Sequence, residues 1–191
     1  MKTLLLPAAL AASVIAPAAA SAQAIPAATV AVVDLEKVTA DCTACKTANA
    51  ALRAQATAQE NREKGLIAPL QTEQKAIQAA IDALKGAEPD AALQARVKAF
   101  QTKQQQAQET ATRGRQQIQR NQAYISQQIS AKMGPIYQQV MTRRGANLMI
   151  EAGSTLAAGA SLDVTNDVLA GLNAALPSVQ TTAPAQAAPS R

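Results

Sequence analysis

Leu93-Gln94-Ala95-Arg96-Val97-Lys98-Ala99-Phe100 opens the stretch that decides the fold. From there a regular spacing runs unbroken through Leu93, Val97, Phe100, Gln104, Ala107, Ala111, Gly114, Ile118, Asn121 and Ile125. Steps of three and four residues place these positions on one stripe of a long helix, and only a partner helix alongside can cover such a stripe. The preceding segment supplies the partner, because Leu66, Leu70, Ile77, Ile81 and Leu84 keep a similar spacing. Between the two runs, Lys85-Gly86-Ala87-Glu88-Pro89-Asp90 is turn chemistry, with Gly to end one helix and Pro to start the next. The spacing predicts an antiparallel helical hairpin over 41–144 with its tip at 85–90.

Reflecting this hairpin about Ala87 sets Ile81 and Leu84 near Leu93 and Val97, and Ile77 near Phe100. These six residues form the expected seam, and the tip is expected to be the better-packed end. The middle differs, since Arg53 to Lys64 holds no apolar residue larger than alanine. Gly65 and Pro69 on the first arm and Gly114 on the second fall near that height and predict a bend or hinge; a local kink without a role is the plainer alternative. Gly134-Pro135, within the apolar spacing Ile129, Met133, Ile136, Val140, marks the shoulder where the arm returns to the head near Ala40.

Composition narrows the chemistry. The chain has one Phe, two Tyr and no Trp, and its 48% apolar content is mostly alanine, which favours helices but buries little surface per residue. There is no histidine, which removes the commonest general base and transition-metal ligand. The reading is accordingly not an enzyme, with no catalytic, metal or cofactor site. Charge is uneven: seven basic and seven acidic residues lie from Lys37 to Asp90, but nine basic residues against Glu109 alone lie from Ala91 to Arg144. Arg96, Lys98, Lys103, Arg113, Arg115 and Arg120 give the second arm a basic face. A solvated surface accounts for it, and so does attraction to acidic partners. Nucleic acid is a poor fit, because no aromatics interleave with the basic residues, so anionic lipid or acidic polypeptide is the better match.

Short β-branched runs flank the hairpin. Thr29 to Asp34, with Val30 and Val32, and Asn147 to Glu151, with Leu148 and Ile150, each read as a strand. A third is expected around Thr155 to Ala158. Thr165 then serves as N-cap for a helix over Asn166 to Leu176, with Asp167 complementing its dipole and Val168, Leu169, Leu172 and Leu176 as its apolar stripe. Segments 23–40 and 145–176 thus form a β-rich head with a C-terminal helix. So small a sheet has unpaired edges and a barely covered face, which copies from other subunits would close.

At the ends, Met1-Lys2, the apolar run Thr3 to Ala20 and the small-residue site Ala20-Ser21-Ala22 have the layout of a cleaved secretory signal peptide over 1–22. A membrane anchor is the alternative, but Pro7 and Pro17 break the run and no stop-transfer segment follows. Segment 177–191 is Pro, Ala, Ser, Thr and Gln without periodicity, and is expected to be a disordered tail.

In three stretches the chain resembles the Skp/OmpH family of periplasmic chaperones: Val30 to Val38 as a valine-rich strand entering a helix, Arg144 to Ala152 as a glycine turn and second strand, and Leu162 to Leu169 as the approach to the last helix. The resemblance implies a mostly α protein with a small β head, in which strands holding Val30, Val32, Leu148 and Ile150 close into a trimeric barrel. Three coiled-coil arms then surround a cavity that holds unfolded outer-membrane proteins without ATP in the periplasm. The partners so implied are unfolded outer-membrane proteins and the chain's own copies, with anionic lipid or lipopolysaccharide as a further candidate that no motif here locates. A structural coiled-coil spacer or adaptor is the rival reading.

Cys42 and Cys45 are the only cysteines, in CxxC spacing near the start of the first helix. A redox enzyme would want alternating strands and helices that this chain lacks, and a metal site would need four ligands. A local disulfide bracing the neck is the leading reading. Its loop is small, so it adds little stability.

Overall fold

The computed structural model describes residues 26–184. The signal-peptide reading and positions 185–191 of the tail lie outside them. The chain runs β1 (Val30–Val33), α1 (Leu35–Asp41), α2 (Thr43–Ala83), α3 (Ala91–Arg144), β2 (Leu148–Glu151) and α4 (Thr165–Ala175), with two short 3₁₀ turns between β2 and α4.

Helices α2 and α3 form the hairpin that the spacing predicts. At 1.5 Å per residue their 41 and 54 residues correspond to rods of about 60 and 80 Å. Leu84 closes α2 and the chain turns through Lys85 and Gly86, both at positive φ. Asp90, one position after Pro89, starts α3: its carboxylate accepts from the Leu93 amide at 2.8 Å, satisfying one of the free amides of the first turn. At the other end Gly145, at φ 66, lets the chain leave the helix while the Ala146 amide donates back to the Met141 carbonyl at 2.9 Å. A residue with a β-carbon is strained in that left-handed conformation.

The head is built where the arm's base meets the flanking segments. β1 and β2 pair in parallel, Val30 with Leu148 and Val32 with Ile150. Parallel pairing needs a crossover, and here the entire arm is that crossover. Asn147 pins the pair's open end: its side chain accepts from the Thr29 amide at 2.7 Å and donates to the Ala27 carbonyl at 2.8 Å. On β1's other side there is no third strand over Thr155 to Ala158. Val32 makes a single bridge to Asp163, and the Val164 amide donates to the Val32 carbonyl at 2.9 Å. Gly153, Gly159 and the two 3₁₀ turns keep segment 152–162 too irregular to pair.

Thr165 does not cap α4 with its side chain. Its hydroxyl accepts from the Asp34 amide at 2.9 Å, tying α4 to the end of β1, and the Asp163 carboxylate accepts from the Thr165 amide at 2.8 Å. Asp167 lies in the first turn of α4, as the dipole argument expects, and also pairs with Arg144 at 2.9 Å.

The core of the molecule sits in this head. Val38, Cys42, Val140, Val168 and Leu172 are fully buried there, with Met133 and Ile136 of α3 reaching in from above. Gly134 and Pro135 lie on the exposed opposite face, and α3 continues through them without a break. The tail differs from expectation. Leu176 is buried and Val179 packs against the head core, after which residues 180–183 lie along the arm, held by Gln55, Asn121 and Gln128. A segment with no core-forming pattern is ordered here by hydrogen bonds from distant side chains, which local composition does not reveal.

Candidate functional site

The arm's seam is thin along its whole length. Ile77 is buried, while Leu84, Leu93, Val97 and Phe100 are half-buried. Ile81 is 41% exposed, so it leaves the seam. The stripe that α2 turns toward α3 runs through Ile77, Ala80 and Leu84, one position off the Ile81 choice. Gln104, a seam position by spacing, is likewise exposed. The tip is therefore not the better-packed end: two isolated helices can shield only one stripe each, and full burial comes at the base, where α4 and β1 add further layers.

Between tip and base both helices run through Gly65, Pro69 and Gly114 as continuous elements. Gly65, Leu66, Pro69 and Leu70 of α2 face Lys103 and Ala107 of α3 across an open groove of about 530 Å³. Leu66, Ile67 and Leu70 also border a second groove of about 340 Å³ with Phe100 and Ala111. Ile67 is 48% exposed there. This is the apolar surface that the arm offers along its middle.

Closer to the head the seam becomes polar, which the spacing did not bring out. Gln59 is buried and occupies the space that a side chain at position 114 would need: a β-carbon built on Gly114 falls within 2.1–2.3 Å of the Gln59 carboxamide. Gly114 is thus a site of close approach and not a helix breaker. Gln59 donates to Glu63 at 3.1 Å, and Glu63 receives Arg115 from the facing helix at 2.9 and 3.1 Å. The Arg115 guanidinium first, and Gln59 second, hold the Glu63 carboxyl below its ordinary value of 4.5. One turn further on, Asn121 is buried, donates to Gln55 at 2.7 Å and accepts from Gln117 at 2.7 Å. The signal in the sequence was Asn121 itself, with Gln104 one of two polar residues in an otherwise small or apolar stripe.

The basic residues divide into two groups. Arg96 crosses to Glu73 at 2.7 and 3.0 Å and Arg115 crosses to Glu63, so both act as ties between the helices. Arg113 pairs with Glu109 within α3 at 3.6 Å, and Arg120 contacts Gln117 while its Nε has no partner. Lys98 and Lys103 form no ion pair among the described residues, and Lys103 borders the open groove between the helices. A basic face of six is therefore an overstatement, because α2 supplies Glu63 and Glu73 opposite two of its members.

Cys42 and Cys45 are disulfide-bonded. Cys42 is the single residue between α1 and α2 and caps α2, its sulfur accepting from the Cys45 amide at 3.2 Å. Both sulfurs lie inside the head core, so the bridge fixes the bend by which the chain passes from head to arm. Among the described residues no group of His, Cys, Asp and Glu is arranged to hold a metal, and no helix is long and apolar enough to cross a membrane.

Head and arm together define the class: a long two-helix arm standing on a small head whose two strands pair in parallel at its base. The chain belongs to the OmpH-like outer membrane protein family, whose model matches residues 29–172. A solved structure described as an OmpH-like outer membrane chaperone from Caulobacter crescentus CB15 superposes with a TM-score of 0.70, covering 86% of this chain and 95% of that one at 16% sequence identity. At that identity the likeness speaks for the fold. No curated protein sequence matches the chain.

Proposed function

We propose that the protein is an ATP-independent periplasmic chaperone that holds unfolded outer-membrane β-barrel proteins between its arms and passes them on for membrane assembly. The observation that carries this reading is the arm's middle: open, partly apolar grooves beside Ile67, Leu66 and Leu70 on a rod with almost no core of its own. Many shallow contacts spread along a rod bind collectively and release without a power stroke. Membership of the OmpH-like family and the fold shared with a chaperone of that description support the same assignment. Export with cleavage of the leader read over 1–22 is part of this proposal.

The head is proposed to trimerise. Its sheet has two strands, β2 has an open outer edge among the described residues and carries exposed Leu148, and Leu156 and Leu162 are exposed in the segment on the β1 side of the sheet. An open strand edge and exposed leucines on either side of the sheet are what further copies would cover. Anionic lipid or lipopolysaccharide is a secondary partner in this reading.

The test is suppression of aggregation of a urea-denatured β-barrel protein diluted into buffer without nucleotide, read by light scattering. Saturation near one trimer per client supports the reading. Unchanged aggregation refutes it and favours a structural spacer; a monomeric mass in solution refutes the trimeric cage.

A further inference from the structure

Residues 180–183, Gln-Thr-Thr-Ala, are uncharged and carry no large side chain, yet they are held by five hydrogen bonds to the arm. Four of the five end on the backbone. Gln128 of α3 grips both backbone polar groups of one residue: its Nε2 donates to the Gln180 carbonyl at 2.8 Å, and its Oε1 accepts from the Gln180 amide at 2.9 Å. Asn121 Oδ1 accepts from the Ala183 amide at 2.9 Å, and Gln55 Nε2 donates to the Thr181 carbonyl at 3.2 Å and to its hydroxyl at 3.5 Å.

The spacing of these groups is near that of an extended chain, and the tail meets it with a bend at Thr182. Gln128 and Asn121 are two turns apart, about 10.5 Å along a helix at 1.5 Å per residue. Three residues of extended polypeptide, the step from Gln180 to Ala183, span about 10 Å. Carboxamides carry both a donor and an acceptor and no charge, so they match the peptide group of any residue type. The grip is also set in advance, since buried Asn121 is fixed by Gln55 and Gln117 across the two helices. Beyond Thr182 the strip opens toward the tip into a groove of about 270 Å³ bordered by Ala58, Arg62, Gly114 and Ile118.

We propose that Gln55, Asn121 and Gln128 form a strip that binds extended polypeptide by its backbone, and that the C-terminal tail occupies it until a segment of unfolded client displaces it. The inference rests on the chaperone reading for the identity of the incoming chain. Such a strip selects for unfolded chains without selecting sequence, because folded proteins have few free peptide groups to offer. The tail lowers apparent affinity by the fraction of time that it fills the strip.

The test uses the full chain and a truncation after Val179, which keeps Leu176 and Val179 in the head core. Client affinity is measured with a urea-denatured β-barrel protein. Truncation is expected to tighten binding about five- to tenfold, the factor set by a tail that occupies the strip most of the time. Amide hydrogen exchange of residues 180–183 in the full chain should speed up when client saturates it. In the truncated chain Gln128→Glu, which removes the donor, should weaken client binding about tenfold. A client that binds the full chain while the tail stays protected, or equal affinity with and without the tail, overturns this proposal and leaves the chaperone reading intact. Failure of both chains to bind client overturns the chaperone reading and this one with it.

Discussion

Replacing Gly65 and Gly114 separately by alanine tests the polar layer of the arm. By helix propensity alone each change stabilises by about 1 kcal/mol, because both positions are helix interiors. At Gly65 a β-carbon meets nothing within 4 Å, so the gain should be realised in full. At Gly114 the new methyl lands on the Gln59 carboxamide, with three of its atoms inside 2.4 Å, and that side chain must swing out. It then gives up a buried site with a 3.1 Å bond to Glu63 and a 3.4 Å bond from Arg62, together about 1–3 kcal/mol of net hydrogen bonding. Gly114→Ala should therefore be neutral or destabilising by about 1–2 kcal/mol once the propensity gain is offset. In a Gln59→Ala background the clash is gone, and Gly114→Ala should recover its gain of about 1 kcal/mol. The assay is urea unfolding followed by helical circular dichroism across the four chains of the cycle, with Gly65→Ala as reference. If Gly114→Ala stabilises the wild-type arm as much as Gly65→Ala does, Gln59 does not occupy the space opposite position 114 and the reasoning fails.

The remaining predictions concern the head, the ion pairs and the disulfide. A β-carbon at Gly171 would lie 2.8 Å from the Ile136 side chain in the head core, so Gly171→Ala should destabilise by about 1–3 kcal/mol through overpacking, less the propensity gain, read as a lowered melting temperature. The Glu63 and Glu73 carboxyls are held below 4.5 by hydrogen bonds from Arg115 and Arg96. Their contribution to stability should be fully present above that value and lost as pH falls through the lowered ones. Thermal melts from pH 7 down to 3 should show a shallower acid limb for the Glu63→Gln, Glu73→Gln double variant; an unchanged limb would remove these pairs from the account. Replacing both Cys42 and Cys45 by alanine should cost about 2 kcal/mol by the loop-entropy argument, the low end for a disulfide because the loop is small, plus packing, and leave aggregation suppression intact; loss of suppression in a folded variant would point to thiol chemistry instead.

The parts of this fold that were legible in the sequence are those specified by neighbours in the chain. The 3-4 spacing from Leu93 to Ile125, the Gly-Pro turn, and the runs Val30–Val33 and Leu148–Glu151 each encode their own element within a few residues, and each forms. What was not legible depends on partners far away in sequence. The tail is ordered by Gln55, Asn121 and Gln128, more than fifty positions from the residues that they hold. Thr165 gave up its capping role because the Asp34 amide, 131 positions earlier, presents a better partner to its hydroxyl. Gly114 read as a breaker because propensity describes a helix alone, whereas here it admits Gln59 from the other rod. Two of the six arm cations became ties between helices because Glu63 and Glu73 stand opposite, a pairing that requires the register to within a turn.

The parallel pairing of β1 with β2 also constrains the order in which the molecule is put together. Thr29 and Asn147 bond across 118 intervening steps of chain, and closing so long a loop directly is entropically slow. If the turn at Lys85-Gly86 forms first and zippering proceeds outward along both rods, the distant ends are delivered to each other at almost no additional entropic cost. On this route the base is assembled last, after the final helix is available to roof Val38 and Val140. A chain on this route would carry a finished arm before it had the head through which the proposed trimer forms.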